Sequence, residues 1–390
     1  MKKMVQKQIM QGVNLTCIQT DKFKTGCLSV SFLTDIDKAT AAKNALLPRV
    51  LRRGTAAYPD MRSIACALDE MYGASIEPIV RKKGEIQCVG FFCSFVDDFY
   101  LPKGENVLEK MIRFLGELVL SPNTKYGKLQ SDYVESEKEK LIAEIKAEVN
   151  NKRQYSVKRV IEVMCAGERF GVSRFGTAEA VEKITAAALT KQYKKLISSA
   201  PVEIFYCGSG DPARVERLVT ECFAALPRMS VEELLGTEVL YAPPKQNVIE
   251  YRDVMNVTQG KLAMGFRLGE AMRTPNYAAM MVFNAVYGGA VTSKLFMNVR
   301  EKLSLCYFAS SILERHKGIM LVSSGIEFSK FQMARDEILA QLDAVKQGDF
   351  TLEELEGGKK DVINTLKSLS DKLFSLENYY LDKAITDYGC

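Results

Sequence analysis

Residues 28–33 read Leu-Ser-Val-Ser-Phe-Leu, and residues 262–268 read Leu-Ala-Met-Gly-Phe-Arg-Leu. In the first, Leu28, Val30 and Phe32 alternate with Ser29, Ser31 and Leu33. In the second, Leu262, Met264, Phe266 and Leu268 alternate with Ala263, Gly265 and Arg267. A period of two puts successive side chains on opposite faces, so each stretch predicts a β-strand with one apolar face. The two strands also lead into similar stretches of chain. An apolar helical segment comes next, Ala42–Leu51 in one half and Tyr277–Val286 in the other. Strand-like runs come after it, over 75–80 and 86–95 in the first half and over 306–313 and 318–326 in the second. Each half then carries two long amphipathic helices, predicted over 107–120 and 128–150, and over 331–346 and 352–376. In the last of these, Val362, Leu366, Leu369, Leu373 and Leu376 repeat at intervals of four and three, which predicts one buried stripe.

The first half closes with a strand at Val202–Cys207 and the turn Gly208-Ser209-Gly210. A helix running to about Phe223 succeeds it, with Asp211 as its N-cap and Pro212 as its first residue. From Pro227 to Lys245 the periodicity is lost, and Pro243-Pro244 lies in this stretch. The expectation is an α+β fold with two homologous domains, each an antiparallel-rich sheet covered by helices. The domains fall at 1–227 and 248–390, with a linker at 228–247.

The chain has 390 residues, which suits two or three domains, and its apolar fraction of 47% and charged fraction of 26% are those of a globular protein. Lys and Arg total 53 against 48 Asp and Glu, a mild excess that argues against nucleic acid as the main partner. There is a single histidine, His316, so no two-histidine metal motif can be built. None of the ten cysteines forms a Cys-x-x-Cys pair, and most lie in apolar runs. Reduced, buried thiols and a cytoplasmic location are therefore expected. No secretory leader and no membrane span are visible.

Three local motifs read most simply as structure. Gly208-Ser209-Gly210 lacks the rest of a phosphate-loop pattern and reads as a strand-to-helix turn. His316, in Glu314-Arg315-His316-Lys317-Gly318, reads as part of a solvated hairpin tip. The run Glu135–Glu148 mixes carboxylates with Lys138 and Lys140 and reads as a solvated charged helix face.

A longer pattern carries more. Gly288-Gly289, Ser293-Lys294-Leu295-Phe296, Val299-Arg300-Glu301-Lys302, Leu305 and Tyr307 stand in order. This set resembles the second-domain signature of the pitrilysin/insulinase zinc peptidases, which include mitochondrial processing peptidase. Phe170-Gly171, Phe175-Gly176-Thr177, Val181, Ile184-Thr185, Leu189 and Tyr193 resemble the end of that family's first domain. Gly54-Thr55 resembles the segment just past its metal motif. The resemblance runs from about residue 20 to 380.

Active members of that family carry His-x-x-Glu-His on a helix before the Gly-Thr. Two histidines at i and i+4 face the metal, and the Glu activates water. Here those positions hold Ala45, Pro48 and Arg49. Alanine has no donor atom, proline no carboxylate, and arginine remains a cation. The third ligand would fall on Glu144. The resemblance therefore implies an inactive homologue with no catalytic residues, no bound metal and no cofactor. Arg300 and Tyr307 match the Arg and Tyr that hold peptide carbonyls near the scissile bond in active members. The alternative is that Arg300 pairs with a neighbouring carboxylate and Tyr307 fills the sheet.

The resemblance further implies a non-catalytic subunit of a heterodimeric metallopeptidase. Its partner would be a zinc-bearing paralogous chain, with which it encloses a chamber for a peptide or protein substrate. Overall similarity points to the bacterial pairs associated with elongation factor P modification. Other readings are a peptide-binding or scaffold protein with no peptidase partner, and a self-sufficient Cys or Ser/Lys enzyme. Members of the family continue beyond the long last helix, whereas this chain stops at Tyr388-Gly389-Cys390, so a truncated second domain is expected.

Overall fold

The structure, a computed structural model, describes residues 3–228, 230–240, 248–269 and 276–387. Pro243-Pro244 of the expected linker and the final residues 388–390 lie outside them. In chain order the strands are β1 (Lys3–Met10), β2 (Val13–Gln19), β3 (Thr25–Asp35), β4 (Ser75–Lys83), β5 (Ile86–Val96), the short β6 (Thr124–Lys125) and β7 (Lys128–Leu129), β8 (Val202–Gly208), β9 (Gly260–Arg267), β10 (Cys306–Glu314) and β11 (Ile319–Ile326). The helices are α1 (Ala41–Leu51), α2 (Met61–Asp69), α3 (Val107–Leu120), α4 (Ser131–Ala147), α5 (Lys152–Met164), α6 (Ala178–Glu182), α7 (Ala186–Ser199), α8 (Pro212–Phe223), α9 (Tyr277–Asn284), α10 (Phe331–Lys346), α11 (Leu352–Leu369) and α12 (Leu373–Asp387).

Among the described residues the chain forms two compact units, and neither is continuous in sequence. One takes in residues of Met1–Lys146, Val172–Gly236 and Ser370–Cys390; the other takes in Ala147–Gly171 and Thr237–Leu369.

The first unit is built on a six-stranded sheet of order β1-β2-β8-β3-β5-β4. All neighbours are antiparallel except the parallel pair β2 and β8. One face packs against α1, α3, α7 and α8 through a large core that includes Leu28, Val30, Leu46, Leu115 and Val219. The other face is covered by α12, from the far end of the chain. Leu376 and Tyr380 meet Ile18, Cys27 and Phe205, while Leu381 and Ile385 meet Leu33 and Ile86. A charge is buried in this contact. Glu377 lies 2.7 Å from Arg81 and accepts a 3.0 Å hydrogen bond from Ser29.

The second unit has a three-stranded antiparallel sheet of order β10-β11-β9. On one face Met320 and Val322 meet Leu295, Val299 and Ile338. The other face is covered by α5, from the first half of the chain, with Val160, Ile161 and Met164 against Ile319 and Leu321. Gly265 allows this approach, since a Cβ there would sit 2.5 Å from the sulfur of Met164. Glu168, just past α5, lies 2.7 Å from the Lys317 ammonium and also pairs with Arg267. Burial pushes the Glu168 carboxyl up, but hydrogen bonds from Arg267 and Lys317 outweigh it and hold the group below its ordinary value.

The α+β expectation and the antiparallel-rich sheets agree with this architecture. Several local expectations do not. The helix predicted over 352–376 is two helices, broken at 370–372, where Lys22 donates to the Ser370 carbonyl at 2.8 Å and pairs with Asp371. Its stripe is divided with it: Leu376 is buried in the first unit, whereas Leu366 is 46% exposed. The helix predicted from residue 128 begins at Ser131, because Lys128–Leu129 pairs with Thr124–Lys125 as a small hairpin. The tip at His316-Lys317 is not solvated, since both residues are buried and Lys317 is consumed by Glu168. In the run 135–148, Glu137 and Lys138 are buried rather than solvated.

Candidate functional site

The segment that corresponds to the metal motif is α1. It is a core helix, with all its residues buried except Lys43 and Arg49. A polar network that the sequence did not reveal fixes its position. Asn44 donates to Gln87 at 3.0 Å and accepts from Gln192 at 2.7 Å, and Gln87 donates to the Ala41 carbonyl at 3.0 Å. Paired buried amides of this kind hold one arrangement, because any shift leaves a buried polar group without a partner. Gly54 and Thr55 then turn the chain, with the Thr55 hydroxyl accepting from the Tyr58 amide at 2.9 Å.

On this helix Ala45 and Pro48 are buried and carry no ligand atom. Arg49 Nη2 lies 2.6 Å from Glu144 Oε2 on α4. Arg49 and the expected third-ligand position, Glu144, are thus together in space, but as an ion pair. A fixed guanidinium beside the one remaining carboxylate is the wrong partner for a dication. Among the described residues no group of three or more His, Cys, Asp or Glu is placed to hold a metal ion. The residues present do not fit the metal that the resemblance would imply for an active member.

Beside Arg49 lies a cleft of about 310 Å³, lined by Arg49, Arg52, Arg53 and Lys140 with Glu77, Glu137, Met61 and Pro78. Glu137 bridges Lys140 at 2.6 Å and Arg53 at 3.3 Å. Arg52 lies 3.8 Å from Glu77. The charged run on α4 therefore forms part of a cleft wall, a role that the mixture of signs alone did not disclose.

In the second unit, the signature over 288–307 forms two π-helical segments, Ala285–Gly289 and Leu295–Lys302, leading into β10. Gly288 is required by contact: a Cβ there would stand 2.6 Å from both Leu295 Cδ1 and Ser311 Oγ. Leu295, Val299 and Leu305 are buried and pin the segment to the sheet. The Arg300 side chain is 41% exposed. Its Nε lies 3.4 Å from Glu301 and its guanidinium 4.6 Å from the centre of the Phe296 ring. Tyr307 sits where the β10 register shifts between Cys306 and Phe308, and it is 53% exposed. Arg300 thus finds its contacts on its own turn, and Tyr307 does not fill the sheet.

The turn at Gly208-Ser209-Gly210 is closed by a carboxylate. Asp97 accepts from the Ser209 amide at 2.7 Å and from its hydroxyl, and the Gly210 amide donates to Tyr206 at 2.8 Å. A buried anion in that place suits a structural turn and opposes phosphate.

The sequence profile described as "Peptidase M16 inactive domain" matches residues 183–362. A Bacillus subtilis protein named "Probable inactive metalloprotease YmfF" is 34% identical over 374 residues, covering 96% of this chain and 87% of that protein. Among solved structures, a conserved protein from Enterococcus faecalis is 30% identical with a TM-score of 0.87, over 99% of this chain and 90% of that one. A peptidase M16 inactive domain from Pseudomonas fluorescens shares the fold at 18% identity, with a TM-score of 0.77 over 99% of this chain and 88% of that one.

Proposed function

Since the chain belongs to the peptidase M16 family, as an inactive metalloprotease homologue, we propose that it serves as the non-catalytic member of a two-chain zinc peptidase. The observation that carries this reading is a contrast between two parts of the sequence. The motif positions are occupied by a buried alanine, a buried proline and the Arg49–Glu144 ion pair. Arg300 and Tyr307, by contrast, keep their chemistry and remain exposed to solvent. A chain that cannot activate water still supplies a cation and a phenol, which stabilise negative charge developing on a peptide carbonyl.

In this role the chain contributes half of the substrate chamber to a zinc-bearing paralogue, and Arg300 and Tyr307 act on a peptide held by that partner. The cytoplasm is the compartment we assign. Nine free cysteines are seen among the described residues, with Cys27 directly opposite Cys207 between β3 and β8. None of the described helices is long and apolar enough to cross a membrane. Modification of elongation factor P is the process we would examine first, on overall similarity alone.

The experiment is a tagged pull-down from the native host, with zinc analysis and a peptide-cleavage assay on the recovered material. Recovery of a stoichiometric zinc-bearing chain, with chelator-sensitive cleavage, is the expected result. Arg300→Ala should then leave pairing intact and lower the partner's turnover about a hundredfold or more, the scale of losing one charge-stabilising donor. Recovery of the chain alone, metal-free and inactive, would favour a peptide-binding or scaffold protein. The contacts of Arg300 with Glu301 and Phe296 speak for that second reading.

A further inference from the structure

We propose that the cleft beside α1 is a binding site for a peptide carboxylate. Its walls carry four cationic side chains, Arg49, Arg52, Arg53 and Lys140, against the two lining carboxylates Glu77 and Glu137. Even with Glu144 included, positive charge is in excess.

The burial of the partners is uneven. The Arg49 side chain is 21% exposed and its partner Glu144 is 45% exposed; Arg52 is 31% exposed and Glu77 is 61% exposed. The cations are set into the wall, while the acids reach them from solvent. Exposed ion pairs contribute little, so both acids can swing into water when a better acceptor arrives. Glu137 differs: it is buried and shared by Arg53 and Lys140, and so belongs to the wall.

The Nε–H groups of Arg52 and Arg53 are enclosed, with no acceptor for either among the described residues. A buried donor without an acceptor is unfavourable, so these two arginines are incompletely satisfied by the groups around them. Arginine presents a planar fork that matches a carboxylate through two parallel hydrogen bonds. Arg49 already pairs with the Glu144 carboxylate and Arg52 with that of Glu77. Met61 and Pro78 add an apolar surface against which the rest of a short peptide can lie. The arrangement is complete within one compact unit and needs no second chain.

The test is calorimetric titration of the full chain with four probes: acetyl-trialanine with a free C-terminus, its C-terminal amide, acetyl-Ala-Glu-Ala amide, and inorganic phosphate. A carboxylate-bearing peptide should bind at least tenfold more tightly than the trialanine amide. The free-terminus and glutamate peptides tell a chain-end carboxylate from a side-chain one. Arg49→Lys with Arg52→Lys keeps the charge but removes the fork, and should weaken that binding at least fivefold. Glu144→Gln, a change at an exposed position, removes the competitor and should tighten binding about twofold or more. Absence of binding by both carboxylate peptides would overturn the proposal. So would phosphate binding as tightly as they do, or binding indifferent to both sets of substitutions.

Discussion

β3 and β9 carry the same alternation of apolar and small or polar residues, yet they end in different environments. From Gly26 to Leu33 every residue of β3 is buried, whereas none of β9 is. The cause lies outside both strands. β3 is flanked by β5 and by β8, which arrives much later in the chain. β9 has β11 on one side and no paired strand on the other among the described residues. The pattern of a strand sets which face is apolar; the strands that join it set how much of it is hidden. The two units are nevertheless alike in how their second face is closed. Each receives a helix from the other half of the sequence, and each helix is accompanied by a paired carboxylate: the buried Glu377 with Arg81, and the partly buried Glu168 with Arg267 and Lys317.

The largest effect is expected at that shared device. Glu377→Ala leaves the largely enclosed Arg81 guanidinium without its carboxylate, at a cost of about 4 kcal/mol. Thermal unfolding should show a large drop, and hydrogen exchange should place it in α12 and its sheet. The contrast between the sheets gives the next test. Leu28→Ala empties a fully buried site and should cost about 3 kcal/mol. Leu262→Ala, on a half-exposed strand, should cost about 1 kcal/mol or less. Equal costs in denaturant titrations would mean that β3 and β9 do not differ as described.

A smaller effect is expected from acid. The Glu168 carboxyl is held below its ordinary value of 4.5, so its network is fully stabilising above that pH and loses its contribution as pH falls through the lower folded value. Hydrogen exchange below about pH 4.5 should therefore loosen α5 and β9. Glu168→Gln should abolish this acid sensitivity and leave the first unit unchanged.

Elements whose signals are local were readable from the sequence. α3 and α10 have the predicted bounds, because an amphipathic stripe and its ends specify a helix within one stretch of chain. α8 starts where Asp211 caps it, through a 3.1 Å bond from the Arg214 amide. Elements that depend on distant partners were not readable. The stripe of Leu366, Leu369 and Leu373 continues across 370–372 without a gap, so the break there is visible only when Lys22 is in place. Lys317 looks like a solvated turn residue until Glu168 is brought beside it. At the candidate site, the loss of ligands was plain from counting back from Gly54-Thr55. That Arg49 reaches Glu144, and that Arg52, Arg53 and Lys140 join it in one cleft, required α1 and α4, far apart in sequence, to lie side by side, a placement that the Arg49–Glu144 and Arg53–Glu137 pairs record.

In this chain Arg49 and Glu144, which the resemblance matches to metal-ligand positions, form a guanidinium–carboxylate pair. The decisive measurement is zinc binding by the purified full chain, in competition with a chromogenic chelator. No stoichiometric zinc is expected, with wild type and Glu144→Gln behaving alike. One zinc per chain, held against the chelator and lost on Glu144→Gln, would show instead that Glu144 still serves as a ligand.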